Sequence, residues 1–216
     1  MKALAAELKR KIKAYDTVLI GIGSEWKAEA HKDLAAVYNI LYEEIKYKNF
    51  FVVTTVTDAL IYKSKFGIME GFFAPVKQIV APCGNETWQQ CIKSCTKDIW
   101  EPDEIADGLC PHCGASLTGN TVSAPDYIEE GYLPQWNRYL EWLSATIKHP
   151  VLILELGVGF SHPTVIRFPF EKTTVFNQQA ELIRINRRFP QLPKELGGRG
   201  TSIAADSVEI IRFLPG

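Results

Sequence analysis

The sequence has no long apolar run and no excess of charge of one sign, and each absence excludes a class of protein. No stretch approaches the ~20 apolar residues that a membrane-spanning helix needs. The 24 basic and 25 acidic side chains give a formal net charge of −1, so bulk charge cannot be the means of holding a nucleic acid. We therefore expect neither a membrane nor a nucleic acid among the partners of this chain.

Targeting and common catalytic signatures are missing as well. The opening segment MKALAAELKRKIKAYD lacks the apolar core of a signal peptide, which favours a cytoplasmic location. Nothing resembles a Ser-His-Asp triad or a Walker loop. Hydrophobic residues make up 46% and charged residues 23% of the 216 positions, which is enough for a buried core in one domain with a small insert.

Segments with helical spacing of apolar residues alternate with short apolar runs. The helical segments are Lys2 to Tyr15, His31 to Lys48, Asp58 to Lys65, Pro134 to Lys148 and a final helix capped by Asp206 with Glu209. The runs that predict strands are Thr17 to Gly23, Phe50 to Val56, Val76 to Val80, Val151 to Gly159, Glu181 to Asn186 and Thr201 to Ala205. This alternation predicts an α/β fold, a doubly wound parallel sheet with helices on both faces.

The apolar stripes of three helices predict which faces are buried. They are Leu4, Leu8 and Ile12 in the first; Leu34, Val37, Tyr38, Leu41 and Ile45 in the second; and Trp136, Tyr139, Leu140, Leu143 and Ile147 in a later one.

All five cysteines lie in one short polar stretch. Cys91-x3-Cys95 is followed after fourteen residues by Cys110-x2-Cys113, and two such pairs supply the four tetrahedral thiolates of a structural Zn²⁺ site. A redox CxxC pair is the weaker alternative because it leaves the first pair unexplained. With four thiolates closing the site, His112 is expected to be a solvated turn residue. We predict a zinc lobe at 83–117 inserted into a domain formed by 1–82 and 118–216.

Two glycine turns follow predicted strands. Gly21-Ile22-Gly23 ends the first, and Gly157-Val158-Gly159 ends the most apolar one; in an α/β sheet such turns often lie beside a nucleotide phosphate. A plain strand-to-helix turn is the alternative, and the carboxylate of Glu25 would repel a pyrophosphate. Arg187 and Arg188 follow another strand and could meet a phosphate, although arginines at a strand end are more often solvated.

Taken together, these features resemble a divergent sirtuin, a member of the Sir2 family. In chain order they are Gly21 to Gly23, the TTVTD stretch from Thr54 to Asp58, Cys83-Gly84 before the zinc cysteines, Gly157 to Gly159, and Ile185-Asn186. The segment ELGVGFSHPTVIRFPF and the pair Trp88-Gln89 before the first knuckle are especially similar to the macrodomain-linked sirtuins, a microbial class of protein ADP-ribosyltransferases. The resemblance covers nearly the whole chain and is poor between Gly23 and Phe50.

The resemblance implies a Rossmann-like domain with an NAD or ADP-ribose crevice beside the zinc lobe. Its implied ligand contacts are Gly21, Gly23 and Ser24 near the phosphates, Asp58 facing the nicotinamide amide, Gly157 and Gly159 near the adenosine, Asn186 at a ribose hydroxyl, and Ser207 near adenine. The candidate catalytic residues are Asp58, which would orient nicotinamide, and Cys83, next to the attacked ribose.

Three departures from the sirtuin pattern affect the expected chemistry. Cys83 replaces the general-base histidine, Val56 replaces the asparagine of the TTxxD stretch, and Glu25 replaces a small residue of the phosphate turn. Ordinary deacylation is therefore expected to be lost, and an active chain would transfer ADP-ribose to an unidentified protein substrate. The alternative is a catalytically inactive module for ADP-ribose or nucleotide sensing, or for protein interaction. Cys83 itself is either a reactive thiolate or, more simply, a buried inert thiol.

Overall fold

The elements alternate along the chain as the sequence predicts. A computed structural model of the protein describes residues 1–67 and 78–214. Its helices are α1 (Lys2–Ala14), α2 (Leu34–Ile45), α3 (Leu133–Ala145), α4 (Arg167–Phe176) and α5 (Ser207–Arg212). Its strands are β1 (Thr17–Ile22), β2 (Asn49–Thr54), β3 (Ile79–Val80), β4 (Gly84–Cys91), β5 (Leu117–Thr121), β6 (Val151–Leu156), β7 (Ala180–Ile185) and β8 (Gly200–Ile203).

The main sheet is parallel throughout, in the order β3-β2-β1-β6-β7-β8. The chain winds from β1 to one edge, returns to place β6 beside β1, and then winds to the other edge. The direction of winding therefore reverses between β1 and β6, which is where doubly wound sheets bind their ligands. The predicted α/β, Rossmann-like doubly wound fold is confirmed.

Alternating side chains of the sheet pack against helices on both faces. On one face Ile20, Val52 and Leu154 belong to the core that α1, α2 and α5 cover. On the other, Leu19 and Ile153 pack with residues of α3 and α4. Strands buried on both faces explain the nearly continuous apolar runs in the sequence. Within the described ranges, no helix is both long enough and apolar enough to cross a membrane.

The predicted helix faces are correct for α2 and only partly correct for α1 and α3. All five stripe residues of α2 are buried, whereas α1 buries Ala5, Leu8 and Ile12 and leaves Leu4 exposed. In α3 only Tyr139 is fully buried. That helix ends at Ala145 rather than near Lys148, so Ile147 lies beyond it and is 59% exposed.

Two further predicted elements are shorter in the structure. The segment from Asp58 to Lys65 forms a 3-10 helix, Leu60–Lys63, and an Asp58 carboxylate oxygen accepts a hydrogen bond from the Leu60 N–H at 3.0 Å. The strand predicted from Val76 to Val80 is β3, Ile79–Val80, and positions 76 and 77 lie outside the described residues.

Three elements are absent from the sequence prediction. Strands β4 and β5 form a separate antiparallel sheet in the stretch that the sequence indicates is rich in loops. Helix α4 buries Arg167, Phe170 and Thr174. Because two of these three side chains are polar, α4 has no continuous apolar stripe by which hydrophobic spacing could identify it.

The start of α5 follows the sequence prediction in part. The Asp206 carboxylate accepts hydrogen bonds from the N–H groups of Val208 and Glu209 at 2.9 and 3.3 Å, as an N-cap does. Glu209 does not complete the predicted capping box. Its carboxylate instead pairs with Arg212 at 3.1 Å.

A buried ion-pair network joins β6, β7 and α4. Arg184 of β7 donates to both oxygens of Glu155 of β6 at 2.6 and 2.9 Å, and both side chains are fully buried. The same guanidinium donates to Glu171 at 2.7 Å and to the Gln191 carbonyl at 2.5 Å. Each buried charge therefore has a paired and hydrogen-bonded partner, as burial of a charge requires.

Removing one partner of this network is expected to destabilise the fold strongly. Arg184→Met leaves Glu155 buried without its cation, and we expect the free energy of unfolding to fall by about 3–5 kcal/mol in urea titrations. The double variant Glu155→Leu/Arg184→Met should lose less, because it removes both charges. Arg138→Met, on the exposed side of α3, is the control. A double variant no more stable than Arg184→Met would contradict this account.

Candidate functional site

The four cysteines of the two knuckles meet at one point. Their sulfur atoms all lie within 4.8 Å of one another, with Cys91 and Cys113 3.6 Å apart and Cys95 and Cys110 3.5 Å apart. Four sulfurs at about 2.3 Å from a tetrahedral Zn²⁺ are separated by about 3.8 Å. The donor set and the spacing therefore fit the predicted zinc ion.

The backbone of the knuckles prepares the sulfurs for a cation. The N–H groups of Cys95 and Lys93 lower the pKa of Cys91 to about 6, whereas the neighbouring sulfur of Cys113 raises the pKa of Cys95. Four thiols this close cannot all ionise without a positive charge between them, which a metal ion supplies. The Gly114 φ of +68° lets the chain turn directly after Cys113.

The His112 side chain lies beside Asp98. Its Nε2 lies 2.7 Å from the Asp98 carboxylate, and both side chains are about half exposed. The arrangement has the surface character that the sequence indicates for His112.

The glycines at the end of β1, Gly21 within the strand and Gly23 just after it, allow close packing of the polypeptide. A Cβ at Gly21 would lie 2.4 Å from Ile166 Cγ2 and 2.8 Å from the Phe170 ring, beneath α4. A Cβ at Gly23 would lie 2.4 Å from the Cα of Val158. The two glycine turns are therefore in direct contact at the switch point of the sheet. Gly21 and Gly23 each have a packing role whether or not a phosphate binds there.

The carboxyl ends of β1, β6 and β7 are joined by hydrogen bonds. The Gly23 N–H donates to the Leu156 carbonyl at 2.9 Å, and the Gly157 N–H donates to the Ile185 carbonyl at 2.8 Å. Asn186 Nδ2 donates to the Val158 carbonyl at 3.1 Å. The two glycine turns and Asn186, which the sequence predicts to be functional, thus lie together at the carboxyl ends of the strands.

Asn186 shapes the loop after β7. Besides its bond to the glycine turn, its Oδ1 accepts the N–H groups of Arg188 and Phe189 at 2.8 and 2.7 Å. Its side chain is buried. The predicted contact to a ribose hydroxyl stays a prediction, while the observed role of Asn186 is to hold the loop that carries Arg187, Arg188 and Phe189.

An open pocket of about 490 Å³ lies above these turns. It is lined by Ser24, Glu25, Ala30, Gly159, Phe160, Ser161, Asn186, Arg187, Arg188 and Phe189. The Phe160 and Phe189 rings meet edge to face with centroids 5.3 Å apart and are 50% and 41% exposed. Exposed aromatic rings beside guanidinium groups are suited to a flat ligand that carries negative charge.

A second buried guanidinium supports this wall of the pocket. Arg167, the first residue of α4, donates to the carbonyls of Phe189 and Gln191 at 3.0 and 2.9 Å. Its guanidinium carbon also lies 4.2 Å from the centroid of the Phe160 ring. The positions of both aromatic rings therefore depend on a charged side chain beneath the surface.

A smaller pocket of about 150 Å³ contains Val56 and Asp58 together with Lys27, Thr57 and Glu86. Asp58 Oδ2 accepts the Ala28 N–H at 2.8 Å and its other oxygen caps the 3-10 helix, so both oxygens bind the backbone. Val56 is buried, and Thr57 Oγ1 donates to Glu86 at 2.5 Å. The predicted role of Asp58 towards nicotinamide stays a prediction.

Cys83 is 1% exposed, and burial raises the pKa of its thiol to about 11. A thiol with that pKa is almost fully protonated at neutral pH and is a weak nucleophile and base. Of the two interpretations that the sequence leaves open, the geometry favours the inert thiol.

Ser207 lies in the core beside the crevice. It is fully buried, and its Oγ accepts the indole N–H of Trp26 at 2.9 Å. The bond ties α5 to the 3-10 turn Ser24–Trp26 that follows β1. A contact between this hydroxyl and adenine stays a prediction.

Phe160 and Phe189 are the aromatic pocket residues that the sequence analysis did not identify as site residues. The only sequence signal for them is their position one residue after Gly159 and three residues after Asn186. A comparable pocket of about 460 Å³ lies at the amino ends of the strands, among Ala14, Asp16, Asn49, His149 and neighbouring residues. Doubly wound sheets do not place their ligands at this end.

Comparison with known proteins gives two similar sequences. The chain is 22% identical over 185 residues to a protein ADP-ribosyltransferase of Staphylococcus aureus, a match that covers 81% of this chain and 58% of that protein. It is 25% identical over 134 residues to a probable bifunctional ADP-ribose hydrolase/ADP-ribosyltransferase of Fusarium oxysporum f. sp. cubense, covering 51% of this chain and 22% of that protein. The chain thus spans only part of each relative. No family model matches the sequence.

The cysteine cluster predicts a specific loss of metal. Cys95 is exposed, so Cys95→Ser should disturb packing little while removing one thiolate ligand. We expect the purified variant to hold well under the wild-type content of about one zinc ion per chain and to melt at a lower temperature. Cys83→Ser, outside the cluster, is the control and should keep its zinc. Equal zinc in Cys95→Ser and wild type, measured by atomic emission, would contradict the four-thiolate site.

Proposed function

We propose that this chain is a sirtuin-like protein that binds the ADP-ribosyl part of NAD at the carboxyl ends of β1, β6 and β7, and transfers it to a protein. The observation that carries the proposal is the 490 Å³ pocket at the switch point, with aromatic rings and arginines on its walls. The similarity to proteins named ADP-ribosyltransferase supports the same ligand.

The pocket offers a suitable partner for each part of ADP-ribose. The exposed rings of Phe160 and Phe189 provide apolar faces against which a purine can stack. The Arg187 and Arg188 side chains are exposed at the rim, and guanidinium groups bind phosphate oxygens in a bidentate manner. Ser24 and Ser161 add hydroxyl groups for the ribose.

The neighbouring carboxylates suit a transfer reaction. In ADP-ribosyl transfer the bond between ribose and nicotinamide breaks, the electron pair leaves with nicotinamide, and a nucleophile of the target protein bonds to the ribose and loses a proton. Positive charge develops on the ribose as this bond breaks. Asp58 and Glu86 line the 150 Å³ pocket, and fixed negative charge near such a centre favours the transition state.

Ordinary deacylation is not part of the proposal. A lysine deacylase of the sirtuin type needs a general base, and the residue at that position is Cys83, whose thiol has a pKa raised to about 11 by burial. A group with this pKa is protonated at neutral pH and cannot take up a proton. Transfer to a target that supplies its own nucleophile makes no such demand on Cys83.

The second candidate function is ADP-ribose sensing without catalysis. Val56 has no polar atom for nicotinamide, and both Asp58 oxygens accept backbone N–H groups. These observations favour a module that keeps the adenosine side of the crevice and has lost the chemical centre. Both functions require the same pocket to bind ADP-ribose, so binding is tested before transfer.

Arg188→Met tests the pocket. The Arg188 side chain is exposed, while its backbone N–H makes the bond to Asn186, so this substitution leaves the loop's hydrogen bonds intact. We expect isothermal titration of the zinc-loaded variant to show binding of ADP-ribose weakened by roughly tenfold or more, the effect of one charge-assisted hydrogen bond. Arg138→Met on α3 should bind like wild type.

Labelled NAD then separates the two candidate functions. This experiment follows if ADP-ribose binds. If the chain is a transferase, the wild-type protein should add label from NAD to proteins of a cell lysate, and Arg188→Met should add much less. If the chain is a sensing module, neither protein should add label. Equal labelling by wild type and Arg188→Met would contradict transfer from this pocket. If wild-type protein binds neither NAD nor ADP-ribose at millimolar concentration, the proposed function is wrong.

A further inference from the structure

Glu25 lines the floor of the crevice, against the glycine turn after β6. It lies in the 3-10 turn Ser24–Trp26 directly after β1, and its side chain is 12% exposed. A Cβ added to Gly157 would lie 2.5 Å from the Cβ of Glu25. The side chain therefore covers the glycine turn after β6, and only a residue without a side chain at position 157 leaves space for it.

The carboxylate of Glu25 connects this turn to the loop after β7. Its Oε1 accepts the backbone N–H of Arg187 at 3.0 Å and lies 3.5 Å from the Nε of the same residue. The Arg187 Nη1 is also 3.6 Å from Asp206 Oδ2. Two carboxylates, Glu25 and Asp206, thus flank the Arg187 guanidinium beside the loop after β7.

This contact satisfies only half of the Glu25 carboxylate. Its Oε2 is buried and has no hydrogen-bond partner within residues 1–67 and 78–214. An unpaired buried carboxylate oxygen is unfavourable. The contact with Arg187 therefore leaves the Glu25 carboxylate incompletely stabilised. Arg187, at 53% side-chain exposure, loses one of its two carboxylate partners when Glu25 moves and keeps Asp206.

We propose that Glu25 is a specificity-determining residue that weakens binding of phosphate-bearing ligands by holding Arg187 and by placing a negative charge beside them. The inference rests on the proposed function, since it concerns the same pocket. A phosphate group entering the crevice must compete with Glu25 for the Arg187 guanidinium. An uncharged nucleoside that uses only the Phe160 and Phe189 wall meets no such competition.

Glu25 leaves room for a nucleotide despite its position in the crevice. The carboxylate does not fill the open pocket, because it packs downwards on Gly157 while the 490 Å³ space remains above it. Its effect on a ligand is therefore mainly electrostatic, and it should scale with the ligand's charge and weaken as salt screens it.

The test compares three ligands on one pair of proteins. Wild type and Glu25→Gln, both zinc-loaded, are titrated with adenosine, AMP and ADP-ribose at pH 8 and low salt. We expect Glu25→Gln to bind AMP and ADP-ribose on the order of tenfold more tightly, with adenosine affinity changed less than twofold. The gain should shrink in 0.5 M salt, and the same substitution made in an Arg187→Met background should give a smaller gain, because only the removed negative charge then acts on the phosphate.

Two control variants separate this local effect from a change in net charge and from a change specific to glutamine. Glu141→Gln removes one exposed carboxylate of α3 and should change no affinity, which excludes an effect of net charge. Glu25→Ala should favour the charged ligands as Glu25→Gln does; thermal melting of both Glu25 variants establishes that they are folded.

Different failures of this experiment have different meanings. Equal changes for adenosine and ADP-ribose would show that Glu25 contacts the nucleoside and would overturn the inference while leaving the proposed function standing. Unchanged affinities in Glu25→Gln would overturn it in the same way. If neither protein binds any of the three ligands at millimolar concentration, the proposed function fails and the inference fails with it.

Discussion

Two buried guanidinium groups determine the shape of the crevice. Arg184 and Arg167 lie under the loop that follows β7 and donate to the carbonyl oxygens of Phe189 and Gln191. Each is buried among carboxylates and carbonyls, and a buried charge tolerates few other arrangements because every lost partner is costly. These hydrogen bonds therefore hold the backbone of the loop against the sheet and α4.

This constraint explains which groups face a ligand. The polar atoms of Asn186, Asp58 and Ser207 are used within the protein, in bonds that join the strand ends or fix neighbouring turns. The Phe160 and Phe189 rings and the Arg188 side chain remain exposed. The residues that mark the crevice in the sequence therefore build it, and under the proposed function their exposed neighbours would contact the ligand.

The fold was largely predictable from the sequence because its signals are local. Strands buried on both faces appear as apolar runs, and the spacing of two cysteine pairs alone indicates a cluster that could hold a metal ion. Helix α4 could not be found in this way, since Arg167 and Thr174 occupy its buried face and their burial depends on partners distant in sequence. Strand β5 has the sequence LTGNT, whose pairing with β4 no local pattern indicates.

The meeting of the predicted residues could be anticipated, but their contacts could not. The glycine turns and Asn186 follow strands in the sequence, and in the structure they lie together at the carboxyl ends of the strands. The consequence of Glu25 was not apparent, because the sequence shows a carboxylate where a phosphate is expected and does not show that it packs on Gly157 and pairs with Arg187. That arrangement depends on three strand ends meeting, which is a property of the folded sheet.

The most direct test of this account is a crystal structure of the zinc-loaded protein grown with ADP-ribose. We expect the adenine against Phe160 and Phe189 and the diphosphate within hydrogen-bonding distance of Arg187 or Arg188, with the Glu25 carboxylate turned away from Arg187. ADP-ribose bound at the amino ends of the strands, near Asp16 and His149, would contradict the account. So would a crevice that stays empty at saturating ligand.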